Sequence, residues 1–336
     1  MNLSDNKYSK FALVKEMMET PTIIKNFHTK DISDLLSKLK ETKKIFFTGE
    51  GSSRIFPAKN TIYTILKNKI DIIPHTEGSR QAAELNLSDY VLFGASNSGK
   101  TNEVISLFKM KKAKYQFALT AFENTPLGKL SDDEFVLNCG KEDAVAATKS
   151  VIEQALFYHK VIAAYNKHDI SDLLDEFSKK AEEVLTLEID KDIIDYLVQA
   201  PVLYFAGRNN GVAEEATLKT NEITRKKSDF LEGTYAVHGI EEVMNADEAV
   251  IVIDPFPEEE QKFKEVLVDG VGMKVFAISS RDTLFPTIKI PSMQCFDGYL
   301  QLMTCWNLLV EVGIAEDINL DKPQRARKVG NEYKGE

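Results

Sequence analysis

The same spacing of apolar runs occurs twice along this chain, and few folds accommodate such a repeat. From Phe46 to Val91 is 45 residues and from Leu203 to Val250 is 47; from Val91 to Phe117 is 26 and from Val250 to Val275 is 25. The third units even read alike, "FALTAFENTPLGKL" against "VFAISSRDTLFPTIKI". Such self-similarity is the mark of a duplicated unit. Within each unit, short β-branched or aromatic runs alternate with longer helical stretches, which predicts βαβ units and a parallel sheet. The strand candidates are 44–49, 89–96, 115–121 and 134–139 in the first half, and 202–207, 248–254, 274–279 and 287–292 in the second. The chain therefore reads as α/β, with two copies of one domain at 31–165 and 190–320. A helical segment covers 1–30, in which the helix over 11–27 is expected to stop or kink near Pro21. A helical linker covers 166–189, and a tail covers 321–336.

In an open parallel sheet, ligands sit beyond the carboxyl ends of the strands, at the point where strand order reverses. Three loops of the first copy end strands in that way: "GEGSSR" (49–54), "ASNSGKT" (95–101) and "GKEDAVAATKS" (140–150). Ser52, Ser53, Ser96, Asn97, Ser98 and Thr101 supply polar groups there, and the glycines let the backbone approach a ligand closely. Backbone N–H groups of such loops and the helix N-termini that follow favour an anion. A phosphate ester is the expected guest, although Ser, Gly and Asn also mark ordinary turns and caps.

The second of these loops, with Gly94 before it, spells G-x-x-x-x-G-K-[ST], a nucleotide-binding P-loop. The match falls on the second strand unit of a duplicated domain. The only apolar run ending in an Asp suited to Mg²⁺, Val250–Asp254, lies in the other copy. A nucleotide site would also leave the serine loop at 49–54 without a purpose. Lys100 is accordingly read as a solvated lysine at a helix start.

Composition narrows the field. A net charge of −10 argues against a broad nucleic-acid surface. The cysteines Cys139, Cys295 and Cys305 have no C-x-x-C spacing and suit a reducing compartment. No apolar run reaches the length of a membrane span, and the first residues do not resemble a signal peptide. A cytoplasmic location with no membrane partner is expected.

Several motifs, in order, resemble the SIS (sugar isomerase) domain family, and within it the isomerase half of glucosamine-6-phosphate synthases. "VKEMMETPTIIKN" (14–26) is similar to that half's K-E-x-x-E-x-P helix, and "SNSGKT" (96–101) to its S-Q-S-G-E-T loop, with Lys100 replacing the acid. "EDAVAATKS" (142–150) resembles E-x-x-V-A-S-T-K, adding Val145 and Ala146 to the substrate-binding set, and has Ala147 in place of a serine. "ATLKTNEI" (216–223) resembles A-L-K-L-K-E-I, so Lys219 and Glu222 fall on a catalytic lysine and glutamate. His238 matches a histidine sixteen residues after that glutamate, and Lys328 matches a lysine of the C-terminal tail. The likeness implies two tandem SIS domains, each a flavodoxin-like doubly wound parallel sheet flanked by helices. It also departs in places: the acid and proline around the histidine are missing, Tyr235 takes the acid's position, and Arg327 replaces a small residue. A glutaminase domain is also expected to be absent.

The resemblance implies an isomerase or deaminase that carries a proton between C1 and C2 of glucosamine-6-phosphate, fructose-6-phosphate or a related amino-sugar phosphate. Glu222 would be the base, His238 would open the ring, Lys219 would orient the base or steady an oxyanion, and Lys328 would close over the sugar. Without a glutaminase, the expected course is toward fructose-6-phosphate and ammonia, or isomerisation without nitrogen transfer. Such chemistry requires no metal or organic cofactor. A homodimer with a shared active site is expected as well. The alternatives are a fructosamine-6-phosphate deglycase, a non-catalytic phosphosugar-binding protein and, last, a P-loop NTPase. Periodicity alone also permits a plainer reading, in which Glu215, Lys219, Glu222 and Lys226 form a solvent-exposed stripe of ion pairs.

Overall fold

Parallel strands covered on both faces need nearly continuous apolar runs, and the predicted runs become strands. The computed structural model describes residues 1–328 and 330–335; Val329 and Glu336, both in the predicted tail, lie outside them. The first sheet contains Lys44–Thr48 (β1), Ile73–Thr76 (β2), Val91–Ala95 (β3), Tyr115–Thr120 (β4) and Asp133–Val136 (β5). The second contains Val202–Gly207 (β6), Lys227–Glu232 (β7), Ala249–Ile253 (β8), Lys274–Ser279 (β9) and Thr287–Lys289 (β10). The orders are β2-β1-β3-β4-β5 and β10-β9-β8-β6-β7, and every pairing is parallel. Numbered within its own copy, each sheet runs 2-1-3-4-5. The strand order reverses between the first and third strands of each copy.

The chain divides into two compact units. One comprises Met1–Met18, Asp143–Ala146 and Lys179–Ala326, and holds the second sheet; the other comprises Glu19–Glu142, Ala147–Ser178 and Arg327–Glu336, and holds the first. In the first sheet, alternate residues serve opposite faces. Phe46, Leu92 and Ala118 join Val104 and Phe108 in one cluster. Phe47, Phe93, Phe117 and Phe135 stack on the other face, against Phe157 and Tyr158 of the Lys149–Tyr165 helix. Each aromatic pair adds roughly 1 kcal/mol beyond the area it buries. The second sheet builds an equivalent cluster from Tyr204, Ala206, Val250, Val252, Val275 and Ala277 against Phe263 and Leu267.

Two strands escaped the sequence reading for the same reason. β2 and β7 both lie near or at a sheet edge and carry exposed or half-exposed residues along most of their length. Pro74 in β2 has no N–H to donate, which an edge strand tolerates. The helix does not stop at Pro21: it runs from Ala12 to Lys25 with Pro21 inside it. The Pro21 carbonyl accepts a hydrogen bond from Ser178 Oγ at 2.7 Å, a side-chain contact that fixes this stretch of helix.

His159, buried in the Lys149–Tyr165 helix, has its imidazole pulled down from 6.5 to about 4 by burial. Its folded value lies below its unfolded one. The stability it contributes is therefore complete above about pH 6.5 and is lost as pH falls toward 4. Urea unfolding at pH 7 and pH 4 should show a loss on the order of 3 kcal/mol that His159→Gln removes. An equal acid loss in the variant would refute this role.

Candidate active site

The loops predicted to cradle a phosphate in the first copy lie where β1 and β3 end side by side. A 3-10 turn over Gly51–Ser53 follows β1 and carries Ser52, which is buried, and Ser53, which is half-buried. After β3, the chain turns through Ser96–Thr101 into the helix Asn102–Lys109. The turns are packed backbone to backbone: a Cβ on Gly49 would lie 3.0 Å from the Ala95 carbonyl oxygen. Gly99 sits at φ +63°, and a Cβ there would fall 2.3 Å from Cβ of Thr125, so only glycine fits.

Ser96 is buried, and its Oγ lies 2.8 Å from Thr101 Oγ1, so the two hydroxyls close the turn on itself. Ser98 Oγ accepts from the Lys100 N–H at 3.2 Å, while Asn97 is half-buried beside it. Lys100, read from sequence as a solvated lysine, is half-exposed but paired: its Nζ is 3.3 Å from Glu332 Oε1. A P-loop lysine reaches over a phosphate, whereas this one is directed to the tail.

The 140–150 loop is organised by a carboxylate that was not singled out from sequence. Glu142 is buried and accepts hydrogen bonds from the Thr148 N–H at 2.7 Å and Ser150 Oγ at 2.6 Å. Lys328 Nζ lies 3.5 Å from the same carboxylate with about a third of its side chain exposed. Val145 is half-buried and its N–H donates to the Asp321 carbonyl at 3.4 Å; Ala146 is buried. Glu142 is the first letter of the E-x-x-V-A-S-T-K string, and that was the signal for it.

In the other unit, the helix Val212–Ile223 carries the second cluster. Its turns bring Glu215, Lys219 and Glu222 onto one face. Lys219 Nζ lies 2.8 Å from Glu222 Oε2 and 3.2 Å from Glu215 Oε1. The side chains of Lys219 and Glu215 are fully buried, and that of Glu222 is 22% exposed. The exposed-stripe reading is thereby overturned, because the charges themselves face the interior. Burial alone would push the Lys219 ammonium down; the charges of Glu222 and Glu215 outweigh it and hold the group above the ordinary lysine range. A permanent cation is thus fixed beneath one carboxylate that reaches solvent. Glu215 was seen in sequence only as part of the stripe, four residues before Lys219.

His238 ends a 3-10 turn over Tyr235–Val237 and is exposed, with Gly239 beside it at φ +109°. Of the predicted set, the structure pairs the lysine with the glutamate, while among the described residues the His238 imidazole makes no hydrogen bond to either.

Comparison with known proteins follows the same lines. No family model matches the chain. A glutamine–fructose-6-phosphate aminotransferase (isomerizing) of Methanococcus maripaludis is 24% identical over 344 residues, 96% of this chain and 56% of that protein. Its counterpart in Clostridium tetani is 25% identical over 360 residues, 96% of this chain and 59% of that protein. The chain spans less than two thirds of the length of these relatives. Among solved structures, tagatose-6-phosphate ketose/aldose isomerase of Escherichia coli superposes with a TM-score of 0.78 at 17% identity, covering 96% of this chain and 99% of that one. The C-terminal domain of glucosamine–fructose-6-phosphate aminotransferase from Francisella tularensis gives 0.74 at 20%, covering 95% and 100%. Glucosamine-6-phosphate deaminase of Thermotoga maritima gives 0.70 at 19%, covering 95% and 99%. The chain has the tandem SIS fold, and its sequence resembles the isomerase part of the glutamine–fructose-6-phosphate aminotransferases along nearly its whole length.

Proposed function

We propose that this chain is a phosphosugar isomerase or deaminase acting on glucosamine-6-phosphate, fructose-6-phosphate or a related amino-sugar phosphate. The observation that carries the reading is Glu222, partly exposed and anchored on a buried lysine 2.8 Å away. A base for C–H proton transfer must be aimed and held still, and the Lys219 ammonium serves both needs. In the forward direction, His238 opens the ring and Glu222 takes the proton from C2 of the open-chain amino sugar. The enolamine that forms regains a proton at C1. Water then adds at C2 of the resulting imine, and ammonia leaves with the ketose phosphate as the other product. Without nitrogen at C2, the same transfer interconverts aldose and ketose. Lys219 orients the base, and Lys328 steadies the open chain.

Ser52, Ser53, Ser96, Asn97, Ser98 and Thr101 hold the phosphate, with Val145 and Ala146 against the sugar. The names of the relatives, which act on hexose phosphates, support this substrate class. A homodimer sharing its sites is the proposed active species, located in the cytoplasm.

Proton NMR in D₂O tests the reading, with glucosamine-6-phosphate in one tube and fructose-6-phosphate with and without ammonium in others. Loss of the C2 proton signal or appearance of the ketose is expected. Unchanged spectra with both sugars would reject these substrates, and sedimentation at the monomer mass would remove the shared site.

A further inference from the structure

Residues 331–333 of the tail are held by contacts that the proposed reaction does not use. The Asn331 carbonyl accepts from the Asn102 N–H at 3.0 Å, and the Tyr333 N–H donates to the Lys100 carbonyl at 2.8 Å. Between them, Glu332 stands opposite Thr101 in an isolated antiparallel bridge. Side chains repeat the pattern on both sides. Asn331 Nδ2 donates to Glu103 Oε1 at 2.7 Å, and Lys100 Nζ is 3.3 Å from Glu332 Oε1. Lys109 Nζ donates to Tyr333 Oη at 3.1 Å and lies 4.8 Å from the centre of its ring. That ring also packs against the cluster of Phe46, Val104 and Phe108. All of these residues belong to one compact unit.

Exposed ion pairs are individually worth little, typically below about 1 kcal/mol. Here backbone, charge and ring contacts act on three consecutive residues, which makes their opening a shared event. The geometry of the chain then limits Lys328. Asn331 is three residues further on, and three residues reach at most about 11 Å. Fixing Asn331 therefore keeps the Lys328 backbone within a short radius, where its Nζ sits 3.5 Å from Glu142. Released at 331–333, the same residue would belong to a free chain end, and its local concentration at Glu142 would fall steeply.

We propose that Glu332 and Tyr333 are positioning residues for Lys328, clasping the tail to the 100–109 segment so that the Lys328 ammonium stays at the mouth of the 140–150 loop. The inference rests on the reading above in assigning Lys328 a part in handling the sugar. It makes Lys100 one half of a charged clasp, the task for which that turn carries a lysine.

The test is a charge swap read in two ways. Lys100→Glu, Glu332→Lys, the double variant and Tyr333→Ala are compared with the parent for trypsin cleavage after Lys328, normalised to cleavage after the exposed Arg325, and for kcat and KM. Each single variant is expected to raise relative cleavage by about tenfold. Each should also lower kcat by about the same factor, with the KM for sugar phosphate within about twofold. The double swap should return both readouts to within about twofold of the parent. Unchanged cleavage in the single variants, or a double swap no better than they are, would overturn the clasp. Raised cleavage with unchanged kcat, while Lys328→Met loses turnover, would overturn the positioning role. If the parent turns over no sugar phosphate, the proposed reaction falls. Cleavage alone then decides the clasp, with rescue by the swap upholding it and failure of rescue rejecting it.

Discussion

Glu222→Gln is expected to slow proton exchange at C2 by roughly three orders of magnitude, within the range for loss of a general base, while sugar-phosphate affinity changes by less than about tenfold. The variant isolates chemistry from structure because of how the residue is placed. The amide keeps an oxygen facing the Lys219 ammonium, so the contact at 2.8 Å can persist without the charge. Glu215, at 3.2 Å, remains as a charged partner, so the buried lysine is not left alone. Ligand titration by NMR, thermal unfolding and the D₂O exchange rate should therefore separate: binding nearly intact, folding nearly intact, exchange gone. Exchange at the parent rate would remove Glu222 from the mechanism. Parallel loss of binding and folding would reassign it to structure.

The second large effect falls on stability. Lys219→Met is isosteric along most of its length but leaves Glu215 fully buried beside a thioether. Breaking a buried ion pair by deleting one partner costs about 3–5 kcal/mol, and urea unfolding at pH 7 should show a loss of that size. Deprived of this ammonium, the buried Glu215 carboxyl is relieved by taking up a proton, so burial raises its folded pKa above the unfolded value. A group shifted in that direction contributes stability that is complete below its unfolded pKa and is lost as pH rises through the folded one. The deficit of Lys219→Met should accordingly shrink as pH is lowered from 7 to 5. Adding Glu215→Leu should recover much of the stability, because buried charges can often be replaced by apolar groups of similar size. It should recover none of the turnover. A Lys219→Met variant as stable as the parent would contradict the buried arrangement.

The sequence disclosed the elements whose physics is local and repeated. Strands covered on both faces must be apolar throughout, so β1, β3, β4, β6, β8 and β9 announced themselves, and their matching intervals disclosed the duplication. Of the edge strands, β5 and β10 were still found from their apolar runs, whereas β2 and β7 were not, since they present polar or half-exposed residues along most of their length. At Pro21, propensity allowed a stop that the structure does not show: the helix continues to Lys25, and the Pro21 carbonyl accepts from Ser178 Oγ. At the candidate site, Ser96 and Thr101 were legible as turn hydroxyls, and their mutual contact is what closes the turn. Charge burial was not legible. Spacing shows that Glu215, Lys219 and Glu222 share a face, but not that the face points inward. The burial of Glu142 was hidden in the same way: the motif marks its position, but not that its carboxylate will be buried between the Thr148 N–H and the Ser150 hydroxyl.

The three charges on the Val212–Ile223 helix also bear on how such a chain can drift under mutation. Glu215 and Lys219 hold each other in place through the cost of removing either one, a cost levied by folding whether or not any sugar is turned over. Glu222 carries less of that burden, being partly in water. A lineage released from selection for turnover would therefore lose Glu222 early and retain the other two as a fossil of the site. On the proposed mechanism, the partly exposed carboxylate is the one of the three whose presence would separate a working descendant from a retired one.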